Sequence, residues 1–174
     1  MNDHEFDALY KFESDRVYRF IYMLVEHKQL AEDLTHDAFL KAYRSIHSFR
    51  GESSYATWLI KIARNVTYDY FRRKKIVKFF GFGKEEFIDE KIKDPELLSL
   101  ERAEIENLHL TINSLKKDYR DVIILRNVDE SSIKDTAYIL GWSEAKVKGM
   151  SKRALDALKE EMLKKEGEQS AWNG

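Results

Sequence analysis

The chain has 174 residues, of which 43% are hydrophobic and 35% are charged, with a formal net charge of −1. This apolar content excludes a wholly disordered chain and is enough for one ordinary domain or two small ones. The absence of cysteine excludes a disulfide framework and a thiolate zinc site. Seven glycines, a single proline and no run of alternating apolar residues predict an all-α protein.

The sequence carries no recognisable targeting, metal-binding or catalytic pattern. Met1 to Glu5 lack a basic segment followed by an apolar one, and no run of about eighteen apolar residues occurs, so we expect a soluble, cytoplasmic protein. The five histidines have no ligand spacing, and nothing groups a nucleophile with a base. We therefore expect no metal, no cofactor, no small-molecule substrate and no enzymatic activity.

Two amphipathic helices are predicted at the start of the chain. The first covers about two dozen residues and ends near His27. The second runs from about Leu30 to Ile46. Its inward residues are Leu34, Ala38 and Ala42, and its outward residues are Glu32, Asp33, Asp37 and Lys41. Three further apolar residues widen its apolar surface and leave part of it for a partner: Phe39, Leu40 and Tyr43.

A third helix is predicted to begin near Tyr55, after the polar loop Arg50-Gly51-Glu52-Ser53-Ser54. The residues that would face a core are Trp58, Leu59, Ile62, Val66 and Tyr70. A second side of the helix carries cationic, amide and aromatic residues at the same spacings. These are Lys61, Arg64, Asn65, Tyr68 and Arg72.

That second side lies in a strongly basic segment. From Lys61 to Lys78 there are seven Lys or Arg and one acid, Asp69. A solvated helix face usually mixes charges of both signs, whereas this one is nearly all positive and interleaved with aromatic rings. Phosphates would be attracted to the charges and unstacked bases to the rings. The pattern therefore favours nucleic acid, and melted DNA in particular.

A reversal of charge follows the basic segment. From Glu85 to Glu106 there are nine acids and three bases, and the only proline of the chain is Pro95. This composition predicts a flexible linker over 77–108, partly helical toward its end, between a small helical domain at 1–76 and another at 109–166. Residues 167–174 are predicted to form a loose tail.

The second domain has the pattern of a helix-turn-helix. Ser132 and Asp135 form a capping box before a short helix, Gly141 suits a tight turn, and a last helix runs from Glu144 to about Lys164. Four cationic residues lie near the start of that last helix: Lys146, Lys148, Lys152 and Arg153. Because a recognition helix contacts the major groove at this end, the pattern favours duplex DNA over a plain helical hairpin.

Several motifs resemble those of one known family. The chain resembles conserved region 2 of the extracytoplasmic function (ECF, group 4) sigma factors of bacterial RNA polymerase, in the sigma-70 family. The motifs are Ala31-Glu32-Asp33-Leu34-Thr35-His36-Asp37-Ala38-Phe39, Phe49-Arg50-Gly51-Glu52, Thr57-Trp58-Leu59 and Ile62-Ala63-Arg64-Asn65. It resembles region 4 in Tyr119-Arg120-Asp121-Val122-Ile123, Leu140-Gly141-Trp142-Ser143 and Lys146-Val147-Lys148. The motifs follow the family's order over nearly the whole chain.

The resemblance implies a stress-response initiation factor that directs core RNA polymerase to specific promoters and promotes DNA opening. In region 2, the residues implied to dock on the coiled coil of the polymerase beta-prime subunit are Asp33, Leu34, Asp37, Phe39 and Leu40. The residues implied to open and read the minus-ten element are Phe49, Arg50, Gly51, Glu52, Ser53, Tyr55, Trp58, Lys61, Arg64, Asn65, Tyr68 and Arg72.

Region 4 is implied to contact the beta flap of polymerase and to read the minus-thirty-five element. The matching residues are Tyr119, Arg120, Ser143, Lys146, Lys148, Gly149, Lys152 and Arg153. Family members are commonly inhibited by an anti-sigma factor, often membrane-bound, and the same is expected here. The chain departs from the family at His36 and Asp37 (usually Gln and Glu), at Lys116-Lys117 (often a proline) and at Gly149 (often serine).

Two other hypotheses explain part of the sequence. A stand-alone helix-turn-helix regulator would account for residues 109–165 but leaves the basic third helix without a purpose. An adaptor that uses its acidic and aromatic helices to bind proteins would have no nucleic-acid partner. The three hypotheses differ in whether DNA binding depends on salt and on polymerase.

Overall fold

The computed structural model describes residues 3–79 and 100–172, and every regular element in those two ranges is helical. The chain divides into two compact units, Met1–Lys93 (unit 1) and Asp94–Gly174 (unit 2). The predicted all-α class and the presence of two helical domains are therefore confirmed. Most of the predicted linker, including the aromatic stretch that follows Phe79, lies outside the described residues.

Unit 1 contains α1 (Asp3–Val25), α2 (Lys28–Ser45) and α3 (Tyr55–Phe79), and each of these helices packs against the other two. Their fully buried apolar side chains include Val17 and Ile21 from α1, Ala31 and Ala38 from α2, and Leu59 and Ile60 from α3. The predicted inward residues of α2 are all buried. Four consecutive residues of α3, from Thr57 to Ile60, are buried, so the start of this helix is enclosed on more than one side.

The break between α1 and α2 is made by two residues. Glu26 takes a left-handed conformation (φ 54°) while its N–H still bonds to the carbonyl of Tyr22 at 2.9 Å. His27 is extended, and its Nδ1 accepts a hydrogen bond from the N–H of Leu30 at 3.1 Å, which caps α2. Helix α2 therefore begins at Lys28, two residues before its predicted start.

The connection from α2 to α3 follows the sequence prediction closely. A single 3₁₀ turn covers Ile46–Ser48, and Gly51 has a φ of 72°, which glycine adopts without strain. The hydroxyl of Ser54 accepts a hydrogen bond from the N–H of Thr57 at 3.1 Å. This cap fixes the start of α3 at Tyr55, as predicted.

Unit 2 contains α4 (Leu100–Ser114), α5 (Lys117–Ile123), α6 (Ile133–Leu140) and α7 (Glu144–Trp172). The buried core lies between α5 and its neighbours and includes Ile112, Val122, Ile123, Leu125, Ile139, Val147 and Ala154. Helix α4 is also tied to α7 by polar contact, since the ammonium of Lys165 donates to the hydroxyl of Thr111 at 2.8 Å.

Helix α5 continues into a π-helical turn, Ile124–Val128, which the sequence did not predict. The N–H of Asp129 bonds to the carbonyl of Ile124 at 2.8 Å, and the N–H of Ser131 bonds to that of Leu125 at 2.8 Å. The guanidinium of Arg126 donates to the carbonyl of Ser131. These bonds widen the last turn and direct the chain into α6.

The helix-turn-helix is formed by α6, α7 and the turn between them. Ser132 caps α6 by accepting from the N–H of Asp135 at 3.0 Å, and Ser143 caps α7 by accepting from the N–H of Lys146 at 3.2 Å. Gly141 is left-handed, with a φ of 68°. All three local predictions are confirmed.

The end of α7 was predicted too early. The helix continues to Trp172, beyond the expected end near Lys164 and into the segment that was expected to be a loose tail. Glutamate, glutamine and alanine in this segment favour helix, and the cost of Gly167 is only about 1 kcal/mol relative to alanine.

Replacing Gly141 by alanine is expected to lower the free energy of unfolding of unit 2 by about 1 to 2 kcal/mol, the cost of a left-handed non-glycine residue. A methyl group at this position would have no heavy atom within 4 Å, so the effect isolates backbone strain from steric overlap. The change in stability is measured as the urea midpoint of unit 2, which is followed by hydrogen exchange of its backbone amides. An unchanged midpoint would contradict the assignment of strain to this turn.

None of the helices over residues 3–79 and 100–172 combines the length and the apolar character that a bilayer-spanning segment requires.

Candidate nucleic-acid and partner interfaces

The basic side of α3 is accessible along its length. Asn65 and Arg72 are exposed, and Lys61, Arg64 and Tyr68 are half-buried. The guanidinium carbon of Arg64 lies 5.0 Å from the centre of the Tyr68 ring, within the range of a cation–π interaction. The predicted cationic, amide and aromatic residues therefore form one surface, which we name the α3 surface (Lys61, Arg64, Asn65, Tyr68 and Arg72).

One carboxylate moderates the charge of this surface. Asp69 Oδ1 lies 3.1 Å from Nη2 of Arg72, and its Oδ2 lies 3.9 Å from Nζ of Lys41 on α2. Both pairs are exposed, so each contributes at most about 1 kcal/mol. Arg73, Lys74 and Lys75 follow in the exposed part of the helix. The segment keeps a large positive surplus that would attract phosphate.

Burial also affects a phenol of the same helix. Tyr70 packs beside Phe71, with ring centres 6.0 Å apart, and burial raises the pKa of its hydroxyl above the ordinary value. The phenol therefore stays neutral at physiological pH and can act as a hydrogen-bond donor. Its half-buried position agrees with the prediction that Tyr70 faces the core.

The loop before α3 is closed by an aromatic stack. The rings of Phe49 and Tyr55 stack with centres 4.3 Å apart and an interplanar angle of 30°. The ring of Trp58 also lies beside Phe49, with ring centres 5.4 Å apart and an interplanar angle of 57°. The stack brings together the two ends of the polar loop, in which Arg50, Gly51 and Glu52 are exposed. Three of the predicted residues thus form a scaffold that presents the loop to solvent.

Trp58 differs from its neighbours in accessibility. Only 8% of its surface is exposed, so it lies beneath the loop as part of the core of unit 1. Trp58 was placed in the predicted minus-ten site because of a family motif. Since it is buried, it is not accessible to a bound strand, and it supports Phe49 instead.

Helix α2 divides its predicted partner-binding residues between surface and core. Asp33, Asp37 and Leu40 are exposed, whereas Leu34 and Phe39 have only 2% and 3% of their surface accessible. Leu34 and Phe39 are packed inside the bundle because adjacent residues of a helix point about 100° apart. They hold α2 in place, and only the exposed three are available to a partner.

Helix α1 contributes aromatic rings beside the exposed part of α2, a placement that the sequence did not predict. The ring of Tyr10 lies 4.7 Å from that of Phe39, and the ring of Phe6 lies 5.1 Å from that of Tyr43. Tyr10 and Tyr43 keep 44% and 48% of their surface exposed. The signal that could have identified them is the pair of aromatic residues at i and i+4 in the first helix.

An open groove of about 360 Å³ also separates α2 from α3. Its lining alternates apolar and charged groups from both helices, including Asp37, Leu40, Lys41, Arg44, Val66 and Asp69. No single sequence segment contains this combination, which is why the sequence did not reveal the groove. Two of the exposed α2 residues, Asp37 and Leu40, are among its lining residues.

In unit 2, the cationic residues of α7 form a second basic surface. Lys146, Lys148, Lys152 and Arg153 are exposed, as is Gly149 between them. We name these five residues the α7 surface. Arg153 folds back along its own helix, and its Nε donates to the carbonyl of Gly149 at 3.3 Å. Because Gly149 lacks a side chain, no side chain covers the helix backbone at this position beside the guanidinium of Arg153.

The other predicted residues of unit 2 have more restricted positions. Ser143 is exposed, but its hydroxyl already caps α7. Tyr119 and Arg120 are half-buried at the start of α5, a helix that packs against α7. Both therefore flank the helix-turn-helix, and their accessible portions are smaller than those of the lysines.

Replacing Gly149 by alanine is expected to raise the free energy of unfolding of unit 2 by about 1 kcal/mol, the propensity difference in an exposed helix. A methyl group there would lie 3.8 Å from Nη2 of Arg153, which is an ordinary van der Waals contact. Hydrogen exchange of unit 2 in urea measures the change. A decrease in stability would mean that the position requires glycine for packing.

Both halves of the chain are similar to known proteins. Residues 9–76 match the family model of Sigma-70 region 2, and residues 105–158 match that of Sigma-70, region 4. The chain is 31% identical to the ECF RNA polymerase sigma factor SigX of Bacillus subtilis, over 92% of this chain and 84% of SigX. It is 33% identical to the RNA polymerase sigma factor YlaC of the same organism, over 94% of this chain and 95% of YlaC.

A solved structure is similar over most of the chain. The sigma factor RpoE of Bartonella quintana, determined in complex with the anti-sigma factor NepR, has a TM-score of 0.72 and 26% sequence identity. The match covers 91% of this chain and 96% of RpoE. CnrH, determined with the cytosolic domain of CnrY, shares the fold at a TM-score of 0.68 and 20% identity.

Proposed function

Since the chain belongs to the ECF group of sigma-70 factors, which are transcription initiation factors, we propose that its two units divide promoter recognition between two basic surfaces. As an ECF sigma factor it directs bacterial core RNA polymerase to specific promoters and promotes DNA opening. In the proposed division, the α3 surface and the preceding loop act on the minus-ten element, and the α7 surface reads the minus-thirty-five element. The domains concerned are residues 1–76 and 109–166.

The observation that carries this proposal is the composition of the α3 surface. A duplex-binding protein needs cations for phosphate, but the ring of Tyr68 under Arg64 and the exposed amide of Asn65 suit bases that have left the stack. Base–aromatic stacking contributes about 1 to 3 kcal/mol per base in single-strand binders. One stack on Tyr68, together with hydrogen bonds from Asn65, would offset much of the few kcal/mol that unstacking a base costs.

In this mechanism the loop captures DNA that has opened transiently. The Phe49–Tyr55 stack holds the loop ends before DNA arrives, so little ordering entropy is lost on binding. Hydrogen bonds from the loop and Asn65 then stabilise an unpaired base. Trp58 acts only through Phe49, since it is buried.

Polymerase docking is assigned to α2. We place the beta-prime coiled coil against Asp33, Asp37 and Leu40, with the groove between α2 and α3 beside it. Leu34 and Phe39 contribute by fixing the helix from within. Unit 2 is assigned to the beta flap as well as to duplex DNA.

Control by an anti-sigma factor is a further part of the proposal. Its support is the similarity to RpoE, whose structure contains the anti-sigma factor NepR. An inhibitor that covers α2 would prevent polymerase docking, and one that covers the α3 surface would prevent promoter opening.

Run-off transcription from a genomic promoter library tests the whole proposal. Core polymerase is assayed with and without the full chain, and with a variant in which Arg64 and Asn65 are both alanine. New transcripts with discrete starts, present only with the unchanged chain, are the expected result. Polymerase-independent binding to duplex DNA without such transcripts would instead indicate a stand-alone regulator.

A further inference from the structure

Lys146 is the one cation of the α7 surface that lies over an aromatic ring in the described part of the chain. Its Nζ lies 4.0 Å from the centre of the Trp142 ring. Trp142 is half-buried in the turn before α7, and Lys146 is exposed. The ammonium is thus held on one side by the ring face and is open to solvent on the other.

This contact restricts a side chain that is otherwise highly mobile. A lysine is among the side chains that lose the most rotamer entropy when they are fixed in one position. Because the Trp142 ring already confines the ammonium in the free protein, less rotamer entropy is lost when the ammonium later binds a ligand. Cation–π attraction occupies one side of an ammonium that carries three N–H donors, so donors remain for a phosphate oxygen.

The backbone role of Trp142 is separate from the role of its ring. Its N–H donates to the carbonyl of Ala137 at 3.0 Å, and together with left-handed Gly141 this closes α6. Any residue except proline can make that bond. An apolar side chain would also suffice for the hydrophobic contact that usually accompanies such a cap, so the turn by itself does not require an aromatic ring.

We propose that Trp142 is a positioning residue that holds the Lys146 ammonium in place for a backbone phosphate of the minus-thirty-five DNA. The inference rests on the proposed function of the α7 surface. It adds to that function a residue of the turn that needs no contact with DNA. Because a phosphate carries no base identity, Trp142 affects the affinity for all promoters of this factor and not the choice between them.

A double-mutant cycle separates this role from simple folding support. Trp142→Leu keeps an apolar side chain and is expected to weaken promoter binding roughly two- to fivefold, because Lys146 then loses more rotamer entropy when it binds phosphate. Lys146→Gln is expected to weaken it and to reduce the slope of log K against log salt by about 0.9, one phosphate contact. In the Lys146→Gln background, Trp142→Leu is expected to have no further effect.

The measurement uses the full chain bound to core polymerase and a promoter fragment recovered with the unchanged protein. Affinity is determined at several salt concentrations. Trp142→Phe, which retains a ring face, is expected to bind more tightly than Trp142→Leu, and hydrogen exchange of α6 and α7 checks that each variant is folded. Lys152→Gln is the matched control, because Lys152 lies over no aromatic ring within the described residues and the effect of its loss should add to that of Trp142→Leu.

The outcomes are distinguishable. The inference is supported if Trp142→Leu weakens promoter binding in the unchanged chain but not in the Lys146→Gln background. An equal loss with and without Lys146, or no loss at all, would overturn the inference and leave the proposed function intact. If the unchanged holoenzyme shows no salt-dependent promoter binding, the proposed function itself fails and this inference with it.

Discussion

Replacing Asn65 by alanine is expected to slow open-complex formation roughly ten- to a hundredfold while the affinity for core polymerase stays the same. Asn65 is exposed on the α3 surface next to Arg64, and its amide offers both donors and an acceptor to an unpaired base. When the amide is removed, a polar group of the bound base stays desolvated without a hydrogen-bond partner, which costs about 1 to 3 kcal/mol of free energy. Permanganate reactivity of unpaired thymines, followed in time, measures the opening.

The matched control is Asn127→Ala. Asn127 is also an exposed asparagine, but it lies in the π-helical turn of unit 2 and outside both basic surfaces. We expect it to change neither opening nor polymerase affinity. If Asn65→Ala weakened polymerase binding as much as it slowed opening, the separation of docking from melting in unit 1 would be refuted.

Replacing Asp37 by arginine is expected to weaken binding to core polymerase by at least about tenfold, because like-charge contacts at an interface cost several kcal/mol. Asp37 is exposed and lies in the groove that also contains Lys41 and Arg44. The substitution would leave three cations close together where the proposed partner docks. A direct titration of labelled protein with core polymerase measures the change.

Asp15→Arg is the control for this reversal. Asp15 is an exposed carboxylate of α1, and its replacement by arginine changes the net charge by the same amount. Asp37→Asn, which removes the charge without reversing it, is expected to have an intermediate effect. Equal affinities for the unchanged protein and Asp37→Arg would exclude α2 from the docking surface.

The local structure of this chain was largely predictable because its signals are local. Ser54, Ser132 and Ser143 cap helices through bonds to residues three positions away, and Gly141 takes the left-handed turn that its lack of a side chain permits. The π-helical turn was not predictable. It depends on bonds from Ser131 to Leu125 and from Arg126 to Ser131, which no propensity scale describes.

The candidate site was predicted less completely, for a different reason. A family motif identifies which residues matter but not which of them are accessible. Trp58, Leu34 and Phe39 are buried, since the core covers more than one side of their helices. The contribution of Phe6 and Tyr10 requires α1 to pack on α2, and the ring under Lys146 depends on the geometry of the turn.

The Phe49–Tyr55 stack also has a consequence for engineering. Its two rings fix the distance between the ends of the loop without using any side chain of residues 50–54. Gly51 must be kept because its φ is positive, and Ser54 must be kept because its hydroxyl caps α3. The other three residues, Arg50, Glu52 and Ser53, can be exchanged with the stack acting as a constant frame. A library randomised at residues 50, 52 and 53, with Phe49, Gly51, Ser54 and Tyr55 retained, would be a compact source of factors that respond to new promoter sequences while using the same polymerase.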